Sequence, residues 1–149
     1  MDKKEQFFMR KALEEASNAL KKDEVPVGAV IVFQGQIISR AFNQCVQSND
    51  PTAHAEITAI RKACQKQNNY RLNDCDIYVT LEPCPMCVGA VVQARMKTLV
   101  YGASDPKGGG VCSLMDFPFE KTNHSIEIKS GILIQECGRI LKDYFKSKR

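Results

Sequence analysis

The sequence predicts an α/β layer fold built on a mixed sheet of five strands. Two observations carry this. Segments of helical period alternate with strand-length apolar runs. The first two strands are joined by a two-residue Gln34-Gly35 turn, so an antiparallel hairpin opens an otherwise alternating chain. The length of 149 residues suits one domain, residues 1–149, able to bury roughly 70% of its unfolded surface.

Each element has a local cause. Residues 2–22 carry Phe8, Ala12, Ala16 and Ala19, with Met9, Leu13 and Leu20 beside them, one broad apolar face at helical spacing. Pro26 closes that segment. Residues 27–33 form a continuous apolar run, as suits a strand covered on both faces, and residues 36–42 return beside it. Residues 43–49 read as polar loop. Asp50-Pro51 reads as an N-cap followed by proline at the first helical position, opening a helix to about Lys66 that Asn68-Asn69 ends. Residues 77–81 form the third strand. A helix starts at Pro83 and ends near Arg95, and residues 98–101 form the fourth strand. A glycine-rich loop follows over residues 102–112, then a short strand over 125–129 and a final helix over 132–146. The helix from Pro83 has almost no polar face across Met86, Cys87, Val88, Ala90, Val91, Val92 and Ala94. Such a helix is buried on more than one side, by the chain's own loops or by another subunit.

Composition narrows the class. Hydrophobic residues at 44% and charged residues at 26% are globular proportions, and no stretch has the length and apolarity of a membrane span. The charged N-terminus has no apolar signal core, so a cytoplasmic protein is expected. Seven cysteines without an export signal do not make a disulfide framework. The net charge of +4 permits a polyanionic partner without requiring one. Arg139, Lys142, Lys146, Lys148 and Arg149 concentrate at the C-terminus. By charge alone that tail reads as a solvated helix end favoured by the dipole.

Chemistry is concentrated at two helix starts. His54 stands at one, and Cys84 and Cys87 at the other. Thiolate sulfur and imidazole nitrogen are ligands that zinc favours. Cys84 and Cys87 are three apart, hence neighbours on one helical face, and the positive end of the dipole favours thiolate there. Three ligands, not four, is the count of a catalytic zinc site that keeps a position for water. A fourth ligand from Cys112, Cys75 or His124 would make the site structural. Glu56, two residues past His54, need not ligate and is suited to move protons.

His54-Ala55-Glu56 followed by Pro83-Cys84-Pro85-Met86-Cys87 matches the signature of zinc nucleobase deaminases, for which tRNA-editing enzymes are a known example. The likeness goes further. Asp50-Pro51-Thr52-Ala53-His54-Ala55-Glu56-Ile57, Asn69-Tyr70-Arg71-Leu72, Tyr78-Val79-Thr80-Leu81-Glu82-Pro83-Cys84 and Ser113-Leu114-Met115-Asp116 resemble the bacterial tRNA adenosine deaminases, most densely from Val25 to Asp116.

The resemblance implies a cytidine-deaminase-like fold, a three-layer α/β/α sandwich with five strands. It implies hydrolytic conversion of the wobble adenosine of a tRNA anticodon loop to inosine by a homodimer. It implies one Zn2+ per subunit on His54, Cys84 and Cys87, with Glu56 as proton shuttle. Asn43, Ala55, Pro83, Asp105, Lys107 and Phe145 are the implied substrate contacts, Asp105 and Lys107 from the segment lining the RNA groove. With an RNA substrate, the basic tail reads as phosphate-contacting. The chain departs from many relatives at Cys112, where they carry glycine. Two rival readings share the zinc motif or part of it: a deaminase of a free base or nucleotide (guanine, cytosine, deoxycytidylate), and a non-catalytic zinc module that binds RNA.

Overall fold

Strand side chains alternate between two faces, and along the central strands this alternation fills two separate cores. In the computed structural model, which describes residues 2–148, five strands form one sheet in the order β2-β1-β3-β4-β5. They are β1 (Gly28–Phe33), β2 (Gln36–Phe42), β3 (Cys75–Leu81), β4 (Thr98–Ala103) and β5 (Glu127–Lys129). β1 pairs antiparallel with β2 and with β3, whereas β3–β4 and β4–β5 are parallel. A register shift interrupts the hairpin between Ile31 and Val32. Ala29, Ile31, Ile77, Val79, Leu99 and Tyr101 point into one core. Val30, Val32, Tyr78 and Val100 point into the other.

Helices cover both faces, as a sheet apolar on both sides requires. α1 (Lys3–Lys21) and α5 (Ile134–Ser147) lie on one face. α3 (Ala55–Gln67) and α4 (Pro85–Gln93) lie on the other, burying Ala55, Ala59, Ala63, Val88 and Val91. The result is the expected three-layer sandwich on a mixed sheet. α1 starts at the expected place, with the Asp2 carboxylate accepting the Lys4 N–H at 2.8 Å. It buries Phe8, Met9, Ala12, Ala16 and Ala19, the apolar face read from the sequence. The helix lies so close to β1 at its small residues that a Cβ on Gly28 would overlap the Ala12 carbonyl.

Several boundaries differ from the sequence reading. α3 begins at Ala55 with His54 as its N-cap residue, not at Pro51 behind an Asp50 cap. Asp50 instead turns its carboxylate onto the Thr52 N–H and hydroxyl (2.8 and 2.7 Å), which closes a local turn before the helix starts. α4 likewise begins at Pro85 with Cys84 as N-cap residue. Residues 43–49 are not all loop, since α2 (Cys45–Ser48) forms one turn there. Its N-terminal N–H groups on Val46 and Gln47 donate to the buried Glu24 carboxylate at 3.1 and 2.6 Å. β3 and β4 each extend two residues beyond the predicted strands, and a 3₁₀ turn occupies Phe119–Lys121.

Candidate active site

The site lies at the carboxyl end of β3, where the chain passes into α4, and against the start of α3. Strand ends of this kind are the usual ligand position in α/β sheets. Both elements that carry the His54, Cys84 and Cys87 donors are helix starts in which the N-cap residue makes no side-chain cap bond. That frees His54 and Cys84 to face one another. His54 Nδ1 approaches Cys84 Sγ at 3.6 Å and Cys87 Sγ at 3.5 Å. A tetrahedral zinc with its usual bond lengths, about 2.3 Å to sulfur and 2.0–2.1 Å to nitrogen, would put sulfur and nitrogen about 3.6 Å apart. The donor geometry therefore fits that ion.

The electrostatics fit as well. Hydrogen bonding from Cys87, with further help from His54, pulls the Cys84 thiol down to about 4. The same contact with Cys84, joined by burial, holds the Cys87 thiol far above its usual range. Two thiolates this close do not both ionise without a cation to share. Contact with Cys84 raises the His54 imidazole against the opposing effect of burial. The three donors form one group among the described residues. Cys112, Cys75 and His124 do not join it. The Cys112 thiol sits 3.4 Å from the Tyr101 hydroxyl, and a His124 ring nitrogen is bonded to the Met96 carbonyl at 2.5 Å. Cys75 is buried at the opposite end of β3, paired with Phe33.

Asn43 provides the cap that His54 does not. Its Oδ1 accepts the N–H of Ala55, the first residue of α3, at 2.8 Å. This sets the helix start that carries both His54 and Glu56. Replacing Asn43 with alanine is expected to cost about 1 kcal/mol, the worth of a helix cap. The urea midpoint of the zinc-loaded protein checks this, and an unchanged midpoint would reject the capping role.

Glu56 is 4% exposed, and burial pushes its carboxyl up to about 7. It lines a cavity of about 100 Å3 together with His54, Cys84, Asn43 and Asp105. Val25, Leu81 and Asp105 are shared with a neighbouring groove of about 790 Å3, which Lys107, Phe145 and Lys148 also line. The Phe145 ring is half exposed there. Of the remaining sequence-predicted contacts, Ala55 and Pro83 line neither cavity. The Ala55 side chain is buried in the core and its N–H is held by Asn43, while the Pro83 carbonyl accepts from Gly110 at 2.6 Å. In the basic tail, Arg139, Lys142 and Lys146 are exposed, and Lys148 pairs with Asp23 at 2.6 Å. Arg149 lies outside the described residues.

Sequence reasoning missed Glu82. It is 2% exposed, and its carboxylate accepts four hydrogen bonds from the glycine-rich loop. Burial alone would raise this carboxyl, but those bonds, led by the one from Ser113, outweigh it and keep it below its ordinary range. The signal was one acidic residue between an apolar strand and a Pro-Cys helix start. Cys112 avoids the left-handed region, so its side chain brings no backbone strain.

Over its full length the chain is similar to known deaminases. The model of the MafB19-like deaminase family matches residues 1–149. A tRNA-specific adenosine deaminase of Bacillus subtilis (strain 168) is 45% identical over 146 residues, 97% of this chain and 91% of that protein. A solved structure from studies of A-to-I editing by tRNA:A34 deaminases at the wobble position of transfer RNA superposes with a TM-score of 0.86. It is 46% identical and the match covers 91% of this chain and 99% of that one. Guanine deaminase from Bacillus subtilis matches less of the fold, with a TM-score of 0.64 and 45% identity over 70% of this chain and 66% of that one. Signature, sheet and donor geometry thus converge with full-length similarity: the chain belongs to the MafB19-like deaminase family, among the tRNA-specific adenosine deaminases.

Proposed function

We propose that this chain deaminates the wobble adenosine of a tRNA anticodon loop to inosine, with water as co-substrate and ammonia as product. One observation carries the choice of substrate. The small cavity beside His54, Cys84 and Glu56 has room for little more than a base, and it shares walls with a larger groove bearing Lys107, Phe145 and Lys148. A flipped-out base entering the first and its neighbouring nucleotides lying in the second is the arrangement that a single-stranded loop needs. A free base would use the small cavity alone.

His54, Cys84 and Cys87 hold the metal. A bound zinc ion supplies Lewis-acid activation of water near neutral pH. Glu56 accepts the proton that the water gives up and delivers it to N1 of the adenine ring. As the water oxygen bonds to C6, the Glu56 carboxylate takes the second proton from the new C6 hydroxyl and passes it to the departing 6-amino nitrogen, so that the C6–N bond breaks, ammonia leaves and the carbonyl of inosine forms. Burial of Glu56 keeps bulk water from competing for that proton. Asn43 has its amide nitrogen left for the substrate once its oxygen caps α3. Lys107 and the basic end of α5 meet phosphates, and Phe145 offers a face for a stacked base. The enzyme acts as a homodimer in the cytoplasm, one zinc per subunit. The partly exposed Met86 (38%) and half-buried Ala90 support the homodimer, as apolar side chains left open on a helix with almost no polar residues. Among the described residues, no helix is long and apolar enough to cross a membrane.

Incubation with a tRNA carrying an unmodified wobble adenosine tests the reading, with inosine measured directly. Free adenosine and free guanine run in parallel. Conversion of guanine but not of the tRNA would replace the proposal with the free-base reading. A second measurement addresses the tail. Binding of an anticodon stem-loop should weaken steeply with salt, and removal of residues 146–149 should flatten the plot of log affinity against log salt by about 0.7 per lost phosphate contact. An unchanged slope would exclude the tail from the RNA interface.

A further inference from the structure

The glycine-rich loop has no regular secondary structure through most of residues 105–113, yet its first residues stand where the base cavity meets the groove. Asp105 lines both, and Lys107 lines the groove. What fixes its shape is one buried side chain. Glu82 Oε1 accepts the Asp105 N–H at 3.1 Å and the Ser113 hydroxyl at 2.5 Å. Glu82 Oε2 accepts the N–H groups of Val111 and Cys112 at 3.0 and 2.9 Å. The carboxylate thus ties both ends of the loop to the end of β3. The glycines follow from the same contact. A Cβ on Gly109 would overlap the Glu82 carboxylate, and one on Gly110 would meet the backbone between Cys84 and Pro85 at 2.5–2.7 Å. Asp105 continues the pattern inside the loop, its Oδ1 accepting the N–H groups of Lys107 and Gly108 at 3.2 Å.

We propose that Glu82 is a positioning residue for the RNA strand: it holds Asp105 and Lys107 at the boundary between the base cavity and the groove, and so governs how the nucleotides flanking the target are bound. This rests on the substrate reading above. Glu82 borders the base cavity, but both of its carboxylate oxygens are taken up by the loop, so its influence falls on substrate binding and not on the chemical step.

Glu82→Gln separates the ties. An amide has one oxygen and one NH2. With the oxygen toward Val111 and Cys112, the NH2 faces Asp105 N–H and Ser113. The Ser113 hydroxyl can turn and accept, but the Asp105 N–H loses its partner, since two donors face each other. The variant therefore keeps one end of the loop tied and frees the end that carries Asp105 and Lys107.

The test uses zinc-loaded full-length protein. In Glu82→Gln, amide exchange read by NMR should speed up about tenfold at Asp105, in line with the loss of a hydrogen bond to a charged acceptor. Val111 and Cys112 should keep their protection. KM for an anticodon stem-loop should rise about tenfold, with kcat within about twofold and the zinc content full. Unchanged exchange at Asp105 overturns the proposal. So does a fall in kcat at constant KM, or loss of zinc, either of which would assign Glu82 to the metal site through its closeness to Cys84. Ser113→Ala, which removes a single hydroxyl tie, guards against misfolding of the first variant. It should raise KM about threefold, and no change in KM counts against the proposal. Failure of the wild-type protein to convert the stem-loop would instead defeat the substrate reading, and the exchange measurement would still decide the role of Glu82 in the loop.

Discussion

Glu56→Ala is expected to lower kcat on an anticodon stem-loop by about 10²–10⁴-fold, the usual worth of a positioned general acid–base, while zinc stays bound. The geometry separates the two properties. The donors placed to hold a metal are His54, Cys84 and Cys87, and Glu56 stands beside them without being one of their group. Its carboxyl is buried and lines the small cavity shared with His54 and Cys84. Removing it leaves the three donors in place, because His54 is oriented by the Asn43-capped start of α3 and the cysteines by α4. Glu56→Gln should behave the same way, since the amide keeps the volume but carries no exchangeable acid proton. The check is metal content by atomic spectroscopy beside single-turnover inosine formation. Normal turnover in a zinc-loaded Glu56→Ala protein would remove Glu56 from the proton pathway.

Cys87→Ser is expected to do the reverse and lose the metal. Cys87 is fully buried and its sulfur is 3.5 Å from His54 Nδ1. Serine offers a hydroxyl that ionises far less readily and binds zinc weakly, so affinity should fall by more than the roughly 10–100-fold that changes outside the ligand set produce. Because the metal binds only the assembled site, its loss also lowers the unfolding temperature. Dialysis against a mild chelator, followed by zinc analysis and a thermal melt, reads both effects. Retention of one zinc per chain would remove Cys87 from the ligand set.

These two variants concern the part of the site that short-range sequence already exposes. His54 and Glu56 are two residues apart, Cys84 and Cys87 three apart, and each pair belongs to one helix start. Residue type and spacing therefore reveal the chemistry without any knowledge of the path between the pairs. The apolar runs of β1 and β3 are legible for a similar reason, since a strand covered on both faces carries apolar side chains at successive positions. Boundaries were less legible. Asp50-Pro51 has the composition of a helix start, yet the Asp50 carboxylate closes a turn with Thr52, and the true cap of α3 arrives from Asn43, twelve residues upstream.

By itself the sequence determined the α/β class, the mixed sheet, the apolar face of α1, and the two helix starts that carry His54, Glu56, Cys84 and Cys87. All of these depend on the identity of residues within a few positions of one another, where backbone propensity and ligand chemistry act directly. Only the tertiary structure decided that the His54 and cysteine donors meet at zinc-like separations, that Cys112, Cys75 and His124 stay apart from them, and that Glu82 orders the loop carrying Asp105 and Lys107. Those contacts join positions 23 to 33 residues apart. They exist because sheet pairing and core burial bring the end of β3, the start of α3 and the loop after β4 to one place, and no local pattern encodes where a long connection returns.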